Sequence, residues 1–260
     1  MKYLSIGELP SKEAVRDFAD KNNLTAYLAQ NYHHPQEDFL IASDMPPVFV
    51  VADGVTLNFA KLIENNQKYP KPSPAGDVAR IFCEAVHKRA KEIYETLKDD
   101  DVIDIFNYAN KEVANYNQKI GKSDISGNLT GFYSATGAFT IFKDNKAFWA
   151  SICDSFIAHF DKEMNLKFMT SGLCKPYAVI NGEERMADHL ERGILNLEES
   201  DRTFIFTDGF EYYMQNRDFI SLFKEWDDTL KERITEFSRE ANLKDPEKYG
   251  HERSLIAVLS

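Results

Sequence analysis

The sequence predicts an α+β fold in which long helices cover antiparallel β-sheets. Three observations lead there. Apolar residues recur at helical spacing in a few long segments, the clearest from about Asp77 to Lys98. Shorter runs rich in aromatic and β-branched residues lie between those segments. The short runs cluster into meanders instead of alternating singly with helices, which argues against a parallel β-α-β sheet.

In chain order, a helix is expected over about Ser11–Asn22, then strands over Leu24–Asn31, Phe39–Ala42 and Val48–Ala52. The proline-rich stretch Tyr69–Pro74 reads as a stop before the long helix Asp77–Lys98. That helix places Val78, Phe82, Ala85, Val86, Ile93 and Leu97 on one face. A second helix follows over Val102–Tyr116, and the polar segment Gln118–Asn128 is a surface loop. Gly137–Phe160 looks like two hairpins in a row, with strands Ala138–Lys143, Ala147–Cys153 and Ser155–Phe160. The first turn, Lys143-Asp144-Asn145-Lys146, has hairpin residues, and the second bend falls at Cys153-Asp154-Ser155. A strand Tyr177–Ile180, a helix Met186–Leu195, a strand Thr203–Thr207, a helix Phe219–Ala241 and a final strand Ser254–Leu259 complete the reading. No repeat or low-complexity tract interrupts the chain, and 260 residues suit one domain spanning 1–260.

Composition narrows the function. The formal net charge is −11 and no Lys/Arg-rich run occurs, which argues against nucleic-acid binding. No run of 18 or more apolar residues is present, so no membrane span is expected. The first residues, MKYLSIGELP, have no signal-peptide core. The three cysteines, Cys83, Cys153 and Cys174, form no C-x-x-C pair, so neither a zinc knuckle nor a disulfide framework is indicated. A reducing, cytoplasmic location is the expected default. The sequence gives no sign of the oligomeric state.

Four acidic clusters sit at strand ends: Gln36-Glu37-Asp38, Val48-Phe-Val-Val-Ala-Asp53-Gly54, Cys153-Asp154-Ser155 and Thr203-Phe-Ile-Phe-Thr-Asp208-Gly209. An apolar strand is a rigid mount for a terminal carboxylate. The glycine allows a sharp turn that leaves a carbonyl open. A single Asp-Gly is also an ordinary turn. Two copies with two further acidic strand ends point to an oxygen-ligand metal site of one or two ions, because converging carboxylates repel unless a cation neutralises them. There is no G-x-S-x-G, P-loop, H-E-x-x-H or G-x-G-x-x-G. His33-His34 can ligate a metal or simply form a loop.

The order and spacing of these segments, with the last strand His251-Glu-Arg-Ser-Leu-Ile-Ala-Val258, resemble the protein phosphatase 2C family of metal-dependent Ser/Thr phosphatases. That family shows Asn-Glu-Asp, Val-Ala-Asp-Gly, Gly-Asp-Ser, Ser-Asp-Gly and a final Asp-Asp/Asn-x-Thr/Ser strand in the same order. The resemblance covers about Leu24 to Ser260. It implies a four-layer α-β-β-α sandwich with two Mn²⁺ or Mg²⁺ ions at one edge, and in some members a third. Carried over, Asp53 bridges both ions, Glu37 and the Gly54 carbonyl hold one, and Asp208 holds the other. Asp38 supports the attacking water, and Asp154 with Asp208 matches the third-ion position. The implied reaction is hydrolysis of phosphoserine or phosphothreonine in a phosphorylated protein by a water between the two cations.

Three positions depart from the family pattern. Where the family has a phosphate-binding Arg, this chain has His33, which would bind phosphate only when protonated and so lean activity toward acidic pH. Val55-Thr56 follow Asp53-Gly54 where many members have His-Gly-Gly. The last metal-ligand Asp aligns with His251, which favours Mn²⁺ over Mg²⁺, unless the ligand slips one residue to Glu252 or His251 is a surface residue. These departures leave two other readings open. One is a catalytically weak, phosphatase-like binding or regulatory module; the other is a hydrolase of small phosphorylated metabolites.

Overall fold

The structure, a computed structural model, describes residues 1–31, 34–174 and 178–260. The chain runs β1 (Lys2–Glu8), α1 (Lys12–Lys21), α2 (Thr25–Asn31), β2 (Asp38–Asp44), β3 (Pro47–Gly54), α3 (Phe59–Glu64), α4 (Pro74–Ile93) and α5 (Asp101–Ile120). It continues through β4 (Ala135–Lys143), β5 (Lys146–Ile152), β6 (Phe156–Phe160), β7 (Leu166–Met169), β8 (Glu191–Asn196) and β9 (Arg202–Phe206). It ends with α6 (Glu211–Met214), α7 (Arg217–Ser221), α8 (Leu230–Lys244), α9 (Pro246–Tyr249) and β10 (Arg253–Leu259).

The strands form two five-stranded antiparallel sheets, ordered β1-β10-β9-β6-β7 and β2-β3-β4-β5-β8. Side-chain alternation explains why they stack. In β3, Val48, Val50 and Ala52 pack under α4 and α5, while Phe49 and Val51 point between the sheets. In β9 and β10, Phe204, Phe206, Leu255 and Ala257 face the C-terminal helices, while Ile205, Ile256 and Val258 meet Phe49 and Val51 from the other side. Both faces of these strands are buried, so each reads as an unbroken apolar run. The result is the expected α-β-β-α sandwich. No helix among the described residues is long and apolar enough to cross a membrane.

Four expectations are corrected. Leu24–Asn31 is helical from Thr25: the Leu24 N–H donates to the Ala19 carbonyl at 2.7 Å, and Leu28 is the buried position of that turn. Met186–Leu195 is not a helix. Glu184–His189 is a 3-10 turn, and Glu191–Asn196 pairs with β5 as an edge strand whose Gly193 sits against the Trp149 ring. Phe219–Ala241 breaks in two, because Asp227 accepts hydrogen bonds from the Thr229 N–H (2.9 Å) and hydroxyl (2.8 Å) in a local turn. The bend Cys153-Asp154-Ser155 is not a hairpin but a crossing from one sheet to the other, since β5 pairs with β4 and β8 while β6 pairs with β7 and β9.

The cysteine expectation is also corrected. Cys153 and Cys174 form a disulfide across 21 residues, and Cys83 is free and buried. Spacing alone does not show this pair, because the sheet crossing at Cys153 is what brings it to the segment after β7. Of the expected strand Tyr177–Ile180, Tyr177 lies outside the described residues, and Ile180 makes only an isolated bridge to Ala135.

Candidate metal centre

Antiparallel register gathers the acidic strand ends at one edge of the sandwich. Asp38 opens β2 directly opposite Asp53 near the end of β3, and Thr136 of β4 lies opposite Asp53 on its other side. β9 ends just before Thr207-Asp208, and β10 begins just after Glu252. The Thr207 N–H donates to the Ser254 carbonyl (3.0 Å) and the Ser254 N–H to the Thr207 hydroxyl (2.9 Å), which locks those two ends together. The sheet crossing sets Asp154 at the same edge. Both Asp-Gly glycines are required by packing. A Cβ on Gly54 would lie 2.6 Å from the Ala75 backbone at the start of α4, and one on Gly209 would run into the Glu252 carbonyl.

A second set of side chains fixes the carboxylates. The Tyr69 hydroxyl donates to Glu37 Oε1 at 2.8 Å and accepts the Leu57 N–H at 3.1 Å. The Ser73 hydroxyl donates to the same Glu37 oxygen. Ser73 occupies the N-cap position of α4 but makes no capping bond; its hydroxyl is diverted to Glu37. The Thr207 hydroxyl donates to Asp38 Oδ2 at 2.8 Å. Glu252 Oε1 accepts the N–H groups of Glu37 (3.0 Å) and Asp38 (3.1 Å), while Oε2 lies 3.5 Å from His34 Nδ1. Arg253, fully buried, donates to the His251 carbonyl at 2.8 Å and pairs with Glu8.

The electrostatics are those of crowded anions. Burial pushes Glu37 up to about 7, against the hydrogen bonds from Ser73 and Tyr69. Burial lifts Asp38 to about 6, although Thr207, Ser254, Asp53 and the Arg253 charge all favour its ionised form. Asp53 stands well above the usual carboxylate range through burial and the charges of Asp38, Asp208, Glu252 and Asp154. Asp208 has open surface but is enclosed by protein on its other sides. That enclosure, with the Asp154 and Asp38 charges, raises it to about 7. Burial and the Asp38 charge bring Glu252 to about 8. Burial also raises Asp154, and its Oδ1 is a buried oxygen without a hydrogen-bond partner. Burial lowers His34 to about 4 and leaves it neutral at pH 7.

Among the described residues, no lysine or arginine forms an ion pair with Glu37, Asp38, Asp53, Asp154 or Asp208. An oxygen-only donor set with raised carboxylates and one orphaned oxygen fits hard divalent cations. Among the described residues, Cys153, Asp154 and Cys174 form a trio whose donor atoms lie within 4.8 Å of one another. The disulfide takes up both sulfurs of that trio.

Glu37, Asp38, Asp53, Asp208 and Glu252 thus come together, with Gly54 beside them and Asp154 at the margin. His251 reaches the rim of the cavity, but its Nε2 lies 2.5 Å from the Glu247 carbonyl oxygen, away from the carboxylates. His33 lies outside the described residues. Sequence reasoning did not single out Tyr69, Ser73, Thr207 or Thr136 as parts of the site. The stretch Tyr69–Pro74 was expected as a stop before a helix at Asp77, so neither the start of α4 at Pro74 nor the use of the Ser73 hydroxyl was legible. The carboxylates floor a cavity of about 450 Å³, which His34 and His251 also line.

A family profile described as Protein phosphatase 2C matches residues 30–245. The chain belongs to the protein phosphatase 2C family, an enzyme family of metal-dependent phosphoprotein phosphatases. No curated protein matches the sequence significantly. Among solved structures, the chain is similar to the catalytic domain of the serine/threonine phosphatase PstP with two manganese ions (TM-score 0.59, 11% identity, 100% of this chain and 97% of that one). It is similar to PppA, a regulatory component of the type VI secretion system (T6SS) in Pseudomonas aeruginosa (TM-score 0.63, 12% identity, 100% and 97%). It is also similar to RsbX in complex with magnesium (TM-score 0.54, 13% identity, 99% and 94%). At these identities the likeness establishes the fold.

Proposed function

We propose that this chain hydrolyses phosphoserine or phosphothreonine in proteins at a centre of two divalent cations. The observation that carries this reading is the convergence of Glu37, Asp38, Asp53, Asp208 and Glu252 at one sheet edge without a Lys or Arg ion pair among the described residues. Asp53 would be shared between the ions. Glu37 and the Gly54 carbonyl would serve one and Asp208 the other, with Asp154 beside Asp208 for a third. Glu252, not His251, would fill the last ligand position, because its carboxylate is held against Glu37 and Asp38. Cations bound there supply hydroxide from water at neutral pH and neutralise phosphoryl oxygens.

The chain's own residues do the rest. Tyr69 and Ser73 hold Glu37 in one rotamer, and Thr207 holds Asp38 so that it can orient the attacking water and take up its proton. The apolar run of β3 keeps Asp53 rigidly mounted between Asp38 and Thr136.

The test is hydrolysis of p-nitrophenyl phosphate and a phosphopeptide with Mn²⁺, with Mg²⁺ and with EDTA. Turnover is expected with divalent cations only, and Asp53→Asn should lower it by about a hundredfold or more. Turnover that persists in EDTA would overturn the metal mechanism. A second reading, a weakly catalytic binding module, draws on one observation: the described residues lining the cavity include no Lys or Arg to clamp a phosphate. It predicts cation binding by calorimetry without turnover of either substrate.

A further inference from the structure

The cavity over the carboxylates has a second, chemically different side. Pro10, Val15 and Phe18, from α1 and the residue pair before it, face the same space as Leu57 and Phe59. Phe18 is 39% exposed and lines this space. Its ring stands 5.7 Å from Phe59, which is backed by Tyr69 at 5.3 Å and Tyr27 at 6.1 Å. Tyr69 is the residue that holds Glu37, so the aromatic wall and the carboxylates share one rigid part.

The wall is preformed. The Ser11 N–H donates to the Gly250 carbonyl at 2.8 Å, Lys21 pairs with Glu247 at 2.5 Å, and Ala14 and Ala19 form the buried side of α1. Residues 10–18 precede the stretch matched by the family profile, 30–245, whereas Leu57 and Phe59 lie within it.

We propose that this wall is a specificity subsite for a large apolar or aromatic side chain next to the phosphorylated residue of a peptide substrate. The inference rests on the phosphatase reading for its substrate class. The volume, about 450 Å³, lies within the ~300–1,000 Å³ of ligand-sized pockets and has room for more than a phosphate group. The described lining residues offer an acidic neighbour no Lys or Arg to pair with. An apolar side chain instead covers Phe18, Val15 and Phe59 and gains from removing their exposed surface from water.

The test compares phosphoserine peptides that differ only in the neighbouring residue, Phe, Ser or Glu, by kcat/KM with Mn²⁺. The wild type should prefer the Phe peptide over the Ser peptide by about tenfold or more. Phe18→Ala should bring that ratio close to one. Val15→Lys, which puts a cation in the wall, should shift preference toward the Glu peptide. Circular dichroism and thermal melts check that both variants stay folded. A wild-type ratio within twofold, or a Phe18→Ala ratio equal to wild type, would overturn the subsite. So would glycerol phosphate hydrolysed as efficiently as the Phe peptide, which would point to a small-molecule substrate. If no phosphoester is turned over, the phosphatase reading fails separately. Anisotropy binding of the same peptides carrying a non-hydrolysable phosphonate, with Mn²⁺ present, then decides the subsite by the same ratios.

Discussion

Glu252 and His251 are neighbours with opposite fates. Arg253 anchors the His251 carbonyl, the His251 ring turns to Glu247, and Glu252 is drawn inward by two backbone N–H groups. Glu252→Gln should therefore lower activity about 10–100-fold, the scale of losing a metal-site carboxylate or its support, while His251→Ala should cost less than about threefold. Equal losses in steady-state assays would return the ligand to His251. The preference for Mn²⁺ expected from an imidazole ligand loses its basis if Glu252 is the donor, because the set is then oxygen throughout. Tyr69→Phe removes the donor to Glu37 and the acceptor of the Leu57 N–H, both buried. It should weaken cation affinity about tenfold by calorimetry and cost about 1–3 kcal/mol in denaturant unfolding. The acidic residues of the site were legible because each ends an apolar strand. Tyr69, Ser73 and Thr207 were not, because a hydroxyl that supports a carboxylate leaves no spacing signature and is placed only by tertiary packing.

The elements divide along the same line. The inner strands β3, β4, β5, β9 and β10 were readable as apolar runs because they are buried on both faces. Of the edge strands, β2 was readable over Phe39–Ala42, while β1, β7 and β8 were not. β8 is largely half-exposed, and its Ile194 and Leu195 could be fitted to a helical period until pairing with β5 decided the matter. β1 pairs only with β10 and β7 only with β6, so each is shaped by its partner more than by its own pattern. The crossing between β5 and β6 has the largest consequence, since it moves Asp154 to the carboxylate edge and Cys153 to Cys174. Closing a loop of this length removes chain entropy from the unfolded state worth about 3 kcal/mol. Reduction with a dithiol, or Cys174→Ser, should therefore lower the unfolding free energy by up to that amount and the denaturant midpoint with it, with the slope shifting as the unfolded chain expands. An unchanged midpoint after complete reduction, verified by thiol titration, would mean that the crossing is held by the sheets alone.

At the scale of the molecule, the sandwich uses its packing energy to hold anions together, and that has a sign that can be measured. Glu37, Asp38, Asp208 and Glu252 are raised in the folded chain to about 7, 6, 7 and 8 from ordinary values of 3.8 to 4.5. Between about pH 4.5 and 8 the folded state without metal therefore holds more protons than the unfolded state, and stability falls as pH rises. His34 acts oppositely, because burial lowers it to about 4 and the unfolded chain binds its proton first, but only below about 6.5. The window from about 6.5 to 8 is left to the carboxylates, with the net charge of −11 pulling the same way. Metal-free protein should thus lose thermal stability steadily from pH 6.5 to 8 in a scan with EDTA. Saturating Mn²⁺ or Mg²⁺ should raise the melting temperature most at the alkaline end, because ions that bind the ionised carboxylates replace the missing protons. Asp53→Asn removes one of the crowded charges, so it should flatten the metal-free profile and at the same time shrink the gain from cations. A metal-free melting temperature that rises over that window would mean that the carboxylates are ionised and solvated in the folded chain, and that the edge is not a cation centre.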